Sequence, residues 1–239
     1  MTYRAQISSS LGPMLLQSDG SNLTGLYFIG QKDCLDGPGA SAIEPGSFDP
    51  SAGAMAGIPI RKFKAVKSSE ANRDLFEDEA RVGSGAGDTK SGAHTGLNFV
   101  GNELQLMQDH TPESVLIVFR QIRAELSEYF FGKRRVFNTP LAFNGTDFQK
   151  KVWQALLTIP YGEFVSYGDV AHAAGLTAQH GRAVGAAVGR NPISIVVPCH
   201  RVLSSAGTLT GYSGGLERKF ALLELEGFLL RQPRPLTAG

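Results

Sequence analysis

Cysteine is nearly absent, with Cys34 and Cys199 the only two among 239 residues. Two thiols cannot build a cysteine-rich zinc site, and no Cys/His grouping has structural zinc spacing. The chain is therefore read as metal-free, independent of disulfides and suited to a reducing compartment. No run approaches the roughly 18 apolar residues of a membrane span, and the first residues lack the basic-then-apolar pattern of a secretory signal. A soluble, intracellular, cytoplasmic protein is expected. A net excess of either charge is also missing: 23 Lys and Arg against 22 Asp and Glu leave a formal net charge of +1, which carries no overall nucleic-acid signature. The balance is uneven, however. Over 150–239, nine Lys and Arg stand against five Asp and Glu, an excess that suits a phosphate backbone as partner and equally suits a solvated helix face.

What the chain does have is period and punctuation. With 42% hydrophobic residues it can bury one or two modest cores. Thr111-Pro112-Glu113 reads as an N-cap, a proline at the first helical position and an early acid. Val115, Phe119, Ile122, Leu126 and Phe130 follow at helical spacing, which predicts a long amphipathic helix. Thr146-Asp147-Phe148-Gln149 has the form of a capping box, with Phe148, Val152, Trp153 and Leu156 on one face, and Pro160-Tyr161-Gly162 marks the end of that helix. Ser166 is placed to cap a short helix through Ala174, Gly175 to turn the chain, and a second helix over about 178–189 follows. Helix, short turn, helix is a DNA-binding pattern that many proteins without that activity share.

Between 36 and 96 neither period is sustained. The stretch holds ten glycines, an acidic Glu77-Asp78-Glu79 and a Gly83-Ser84-Gly85-Ala86-Gly87 tail. Such composition buries too little apolar surface to offset the entropy of ordering, so a long mobile insertion is predicted. Its basic cluster, Arg61-Lys62-Phe63-Lys64-Ala65-Val66-Lys67, is read as a solvated loop rather than a DNA contact.

Cys199 follows a short apolar, β-branched run, Ile195-Val196-Val197, and precedes His200. The run predicts a buried strand, and Pro198, which has no N–H to give a ladder, predicts that the strand stops beside it. Neighbours in a regular strand point to opposite faces, so Cys199 and His200 share a site only if Pro198 breaks the strand or a water bridges them. A thiol is a strong nucleophile only as thiolate, and a nearby imidazole is the usual route to one. A lone cysteine beside a core strand is also, and often, a small buried hydrophobe.

The flanking residues favour chemistry. Arg182-Ala183-Val184-Gly185, Asn191-Pro192, Pro198-Cys199-His200-Arg201-Val202 and Tyr212-Ser213-Gly214-Gly215, at these spacings, resemble the O6-alkylguanine-DNA alkyltransferase family, proteins that move an alkyl group from guanine O6 onto their own cysteine. The resemblance is dense over 146–227. A weaker match over 7–31, with Leu11-Gly12-Pro13 and Gly25-Leu26, is similar to the family's N-terminal domain. The resemblance implies an α/β chain with a ribonuclease-H-like N-terminal domain over 1–140, interrupted by the insertion at 36–96. A winged-helix-like (helix-turn-helix) catalytic, DNA-binding domain over 146–230 and a tail over 231–239 complete it. It implies a monomer acting on double-stranded DNA containing O6-alkylguanine through the minor groove, with no cofactor, since nothing regenerates the thioether. Some relatives carry zinc in the N-terminal domain; this chain lacks the ligands.

By the same resemblance Cys199 is the acceptor, His200 its base and Glu226, 27 residues after the cysteine, the partner of His200. From sequence alone Glu226 would be an exposed helix-end carboxylate. Asn191 matches the residue fixing the turn before the active-site segment. Tyr167 matches the tyrosine that presses on the target phosphate and hydrogen-bonds the departing guanine. Arg182 matches the intercalating arginine, and Ala183, Gly185, Ala186 and Ser205 fall with it on the DNA-binding surface. The small side chains of that helix suit either tight internal packing or a minor groove roughly 6 Å wide. Tyr212, Ser213, Gly214, Val188, Ser194 and Val202 match the guanine pocket, Ser194 standing where several relatives have proline, which leaves tolerance of bulky alkyl groups open. Two readings from other classes remain: a helix-turn-helix regulator, which has no need of Cys199, and a cysteine hydrolase, disfavoured because Cys and His are sequence neighbours with no evident oxyanion loop.

Overall fold

The structure, a computed structural model, describes residues 1–31, 60–62 and 103–230. Apolar segments near the N-terminus form strands β1 (Tyr3–Ile7), β2 (Met14–Ser18) and β3 (Leu23–Phe28). The next strand, β4 (Ile60–Lys62), leaves this sheet, and β5 (Gln105–Leu106) rejoins it, giving the antiparallel order β3-β2-β1-β5. Helix α1 (Glu113–Phe130) packs on β1 and β2 with Val115, Phe119, Ile122, Leu126, Tyr129 and Phe130 buried. These include all five residues whose spacing predicted the helix. Its start lies one residue later than read: Pro112 sits at the N-cap with φ −59° and ψ 149°, and no side chain caps the helix. The extended ψ of Pro112 excludes it from the first turn.

Glu125 on α1 pins the chain that leaves the helix. Its carboxylate accepts from the Asn138 and Thr139 backbone N–H groups and from the Thr139 hydroxyl. The helices of the second half then follow. α2 (Asp147–Leu157) opens on the expected capping box, Thr146 with Gln149. A two-residue strand, β6 (Val165–Ser166), leads into α3 (Tyr167–Ala173), itself capped by a reciprocal Ser166–Asp169 pair. Gly175, at φ +70°, reverses the chain where a side chain would be strained. A turn of 3₁₀ helix (Ala178–His180) enters α4 (Gly181–Gly189), so the helix-turn-helix is present. The Trp153 indole N–H donates to the Ala187 carbonyl at 2.9 Å and fastens α2 to α4. Strand β7 (Val202–Leu203) pairs in parallel with β6, and α5 (Leu216–Leu225) ends at Glu226 before β8 (Phe228–Leu230). One continuous apolar core runs from the N-terminal sheet through α1, α2, α3 and α4 to the segment holding Cys199.

Two expectations need correction. The apolar run before Cys199 is buried but is not a strand: residues 194–196 turn, and Ile195 sits at φ +69°. Left-handed backbone at a β-branched residue costs on the order of 1–3 kcal/mol and persists only where the surroundings impose it. An unbroken apolar run reports burial, and burial does not choose between strand and buried turn. Within 36–96 the expected lack of regular structure fails for Ile60–Lys62, whose backbone pairs antiparallel with Phe228–Leu230. The rest of the expected insertion and the tail at 231–239 lie outside the described residues.

Candidate active site

The turn that carries Cys199 is stapled from within. The Asn191 carbonyl accepts from the Ile193 N–H at 3.0 Å, while its amide N–H₂ donates to the Val197 carbonyl at 2.8 Å and to Cys199 Sγ at 3.0 Å. One side chain thus holds the strained turn and touches the thiol. The N-terminal sheet splints the same turn from outside: the Leu26 N–H donates to the Pro192 carbonyl and the Leu26 carbonyl accepts from the Ser194 N–H, both at 2.8 Å. Cys199 opens a short 3₁₀ helix, Cys199–Arg201, and is buried. Burial pushes its thiol up, and the Asn191 amide and the Lys219 ammonium pull against that push. The resting thiol therefore needs a base.

His200 is fully buried, and its Nε2 lies 2.9 Å from Glu226 Oε1. The same carboxylate accepts from Tyr129 Oη at 2.7 Å, from Arg201 Nε at 2.8 Å and Nη2 at 2.9 Å, and from the Gly162 N–H at 3.2 Å. Burial alone would raise the Glu226 carboxyl, but His200 and Arg201 together hold it down at about 2. An ionised carboxylate only accepts hydrogen bonds, so the proton between Glu226 and His200 sits on Nε2. Burial outweighs the pull of Glu226 and lowers the His200 pKa, so the ring is neutral. Nδ1 is then the unprotonated nitrogen, and it makes no hydrogen bond among the described residues.

Of the six other buried side-chain polar atoms without a hydrogen bond among the described residues, two belong to residues expected at the guanine edge, Tyr212 Oη and Ser213 Oγ, with Ser194 beside the tyrosine hydroxyl. A buried polar group left unpaired costs about 1–3 kcal/mol. Three of them, on the residues around one thiol, mark a place built to hydrogen-bond something other than the protein. Burial raises the Tyr212 and Tyr167 phenols, and the nearby sulfur adds to both shifts. Tyr167, at the start of α3, accepts from the Thr210 hydroxyl at 3.4 Å. Gly214 is buried with no room for a side chain, since a Cβ there would lie 2.7 Å from the Tyr212 ring and 3.1 Å from the Phe28 ring.

The other expected residues divide by place. Arg182, Ala183 and Ala186 are exposed along one side of α4 and Gly185 is half-buried, so the helix does present a surface of small side chains. Val188 and Val202 are buried in the core, and Ser205 is exposed in the turn after β7. Four residues of the site were not read from sequence. Tyr129 belongs to the apolar face of α1, but nothing in its spacing names a partner 97 residues away. Arg201 was visible beside His200 without a role. Lys219 is fully buried, donating to the Val202 carbonyl at 2.6 Å and the Thr210 carbonyl at 2.8 Å, and burial lowers it to about 8. Gln31 accepts from the Phe28 N–H at 2.9 Å and from the Ser194 hydroxyl at 3.5 Å. Among the described residues no group of three or more His, Cys, Asp or Glu side chains is placed to hold a metal ion, and no helix is long and apolar enough to cross a membrane.

A buried cysteine beside an imidazole–carboxylate pair, next to a helix-turn-helix with one bare helix face, is the arrangement expected of a protein that uses a thiol as acceptor on DNA. Residues 147–228 match the family model of the 6-O-methylguanine DNA methyltransferase DNA-binding domain. The methylated-DNA–protein-cysteine methyltransferase of Mycobacterium tuberculosis is 55% identical over 113 residues, 47% of this chain and 67% of the relative. The inducible enzyme of that name from Bacillus subtilis is 43% identical over 142 residues, covering 55% of this chain and 79% of the relative. Among solved structures, the M. tuberculosis O6-methylguanine methyltransferase is similar at 32% identity and TM-score 0.57, covering 99% and 98% of the two chains. Its counterpart in complex with DNA is similar at 33% identity and TM-score 0.54, covering 93% and 91%. The chain belongs to the methylated-DNA–protein-cysteine methyltransferase family.

Proposed function

We propose that this protein repairs DNA by taking the alkyl group of O6-alkylguanine onto Cys199, once per polypeptide. The observation that carries the reading is the set of unpaired buried atoms around the thiol, His200 Nδ1, Tyr212 Oη and Ser213 Oγ. Nδ1 takes the Cys199 proton through a bridging water. The thiolate attacks the alkyl carbon in line, the S–C bond forms as the C–O6 bond breaks, and the electron pair stays on O6. The Tyr212 and Ser213 hydroxyls and the Gly214 N–H hold that developing charge. The proton carried by His200 passes on to the released guanine, so thiol and alkylguanine become thioether and guanine. Glu226 orients the ring, Asn191 holds the sulfur, and Val188, Ser194 and Val202 wall the pocket.

The assignment of the two halves as a ribonuclease-H-like domain over 1–140 and a winged-helix-like domain over 146–230 belongs to the same reading. It is supported by the antiparallel sheet with α1 on one side and the helix-turn-helix beside the β6–β7 pair on the other. DNA then lies on α4 with its minor groove against Ala183, Gly185 and Ala186, Tyr167 and Ser205 flank the target strand, and Arg182 fills the gap left by an extruded base. The protein acts as a monomer and in the cytoplasm.

Counting tests the central claim. With alkylated DNA in excess, transfer ends at one alkyl group per chain by intact mass; repeated turnover would defeat the proposal. Arg182→Ala separates extrusion from chemistry. Its transfer from duplex DNA falls at least about tenfold, because extrusion costs a few kcal/mol, while its reaction with free O6-alkylguanine stays within about twofold of wild type. Equal losses on both substrates would make Arg182 structural.

A further inference from the structure

We propose that Arg218 is a positioning residue through which the N-terminal sheet sets the guanine pocket. The proposal rests on the assignment of Tyr212, Ser213 and Gly214 to the guanine edge. The starting observation is that one guanidinium joins three pieces of the chain. Arg218 lies in the first turn of α5, three residues after the tight turn in which the Gly215 N–H donates to the Tyr212 carbonyl. Its Nε donates to the Leu11 carbonyl at 2.8 Å, in the loop between β1 and β2. Its Nη1 donates to the Gly214 carbonyl at 2.9 Å. Its guanidinium carbon lies over the ring of Phe28, the last residue of β3, at 4.8 Å from the centroid.

The three contacts act on the same backbone. Phe28 is fully buried and already close-packed on Gly214, as the missing space for a Cβ shows. Arg218 therefore presses Gly214 and Phe28 together while anchoring both to Leu11, more than 200 residues away in sequence. Gly214 follows the two residues whose buried hydroxyls make no hydrogen bond among the described residues, so a shift of its peptide moves Ser213 Oγ and its own N–H together. Hydrogen-bond donors aimed at a developing charge lose their effect with displacements of about an ångström. Lysine cannot replace this device: two donors in a fixed fork and a flat face for stacking are properties of the guanidinium. The groups that Arg218 engages, the Leu11 and Gly214 carbonyls, the Phe28 ring and the Tyr212 phenol it draws down electrostatically, all border the guanine edge, so the residue acts on where guanine sits.

The prediction is a split between binding and chemistry. For Arg218→Ala reacting with free O6-benzylguanine, the half-saturating concentration rises about tenfold, the scale of a lost charge-assisted hydrogen bond. The limiting first-order rate stays within about threefold, and Cys199 reacts with a small disulfide reagent as in wild type. Arg218→Lys recovers less than half of the lost affinity, and Phe28→Leu, which keeps both hydrogen-bond acceptors, gives a smaller shift in the same parameter. If Arg218→Ala does not fold, the lysine and Phe28→Leu variants carry the measurement. Unchanged saturation in the variants, or a loss confined to the limiting rate, overturns the proposal while the transfer reading stands. Failure of the wild-type protein to accept the methyl group of O6-methylguanine in duplex DNA overturns the transfer reading itself, and for a protein that takes methyl but refuses benzyl the same variants are compared on free O6-methylguanine.

Discussion

Replacing Cys199 with serine lowers alkyl transfer by at least about a thousandfold, as loss of an activated nucleophile does elsewhere, and leaves affinity for alkylated duplex DNA within about twofold. The two halves of that result come from different parts of the molecule. In the proposed binding mode, affinity for DNA comes from phosphate contacts and the outer face of α4, where Arg182, Ala183 and Ala186 are exposed. None of these residues uses the buried sulfur. Transfer depends on a nucleophile that His200 can deprotonate. Burial already pushes the Cys199 thiol up, and a serine hydroxyl in the same place is far harder still to ionise beside one neutral imidazole. The substitution is nearly isosteric, so the Asn191 amide keeps an acceptor and the turn at Ile195 stays stapled. Peptide mapping of the wild-type reaction places the added alkyl mass on Cys199, with Cys34, outside the described residues, as the internal control. Label on Cys34, or transfer by the serine variant at the wild-type rate, would defeat the assignment.

The reach of the sequence differs between the fold and the site. Helices with a period and a cap were legible: α1 from its apolar spacing, α2 and α3 from Thr146–Gln149 and the Ser166 cap. These signals are local, set by residues three or four apart. Cys199, His200 and the Tyr212–Gly215 turn stood out because the motif is contiguous. The conformation before Cys199 was misread because Ile195-Val196-Val197 declares burial, while the turn is imposed by Asn191 and by Leu26 of a strand far away. Tyr129, Gln31, Arg218 and Lys219 were not legible for the same reason. Each contributes through a partner between 9 and 207 residues away, and a side chain's distant partner leaves no trace in its neighbours' spacing. Glu226 shows the limit most plainly: the residue read alone as a solvated helix-end carboxylate is buried and accepts from four residues.

Glu226→Gln produces the largest loss of stability, about 3–5 kcal/mol by urea unfolding at neutral pH, because Arg201 is left buried without its counter-charge. An amide offers one acceptor oxygen where the carboxylate serves Tyr129, His200, Gly162 and two N–H groups of Arg201. The Arg201 contact with the Ile159 carbonyl keeps the guanidinium in place and prevents its escape to water. The pH dependence distinguishes this cause from simple mispacking. The folded-state pKa of Glu226 is depressed from 4.5 to about 2, so its stabilisation is fully present above about 4.5 and is lost as pH falls through about 2. That shift corresponds to about 3 kcal/mol in the wild type. The stability gap between wild type and variant therefore narrows as pH falls across this window, and a gap that stays constant would show that ionisation of Glu226 is not its source. The same substitution disturbs chemistry, since Nε2 of His200 no longer meets an obligate acceptor and Nδ1 is no longer held as the unprotonated nitrogen. Transfer slows by at least about a hundredfold, the lower end of what a positioned base contributes. The end point stays at one alkyl group per chain, because the acceptor thiol is untouched. A variant that is destabilised yet transfers at the wild-type rate would reduce Glu226 to the partner of Arg201 and leave His200 without an orienting carboxylate.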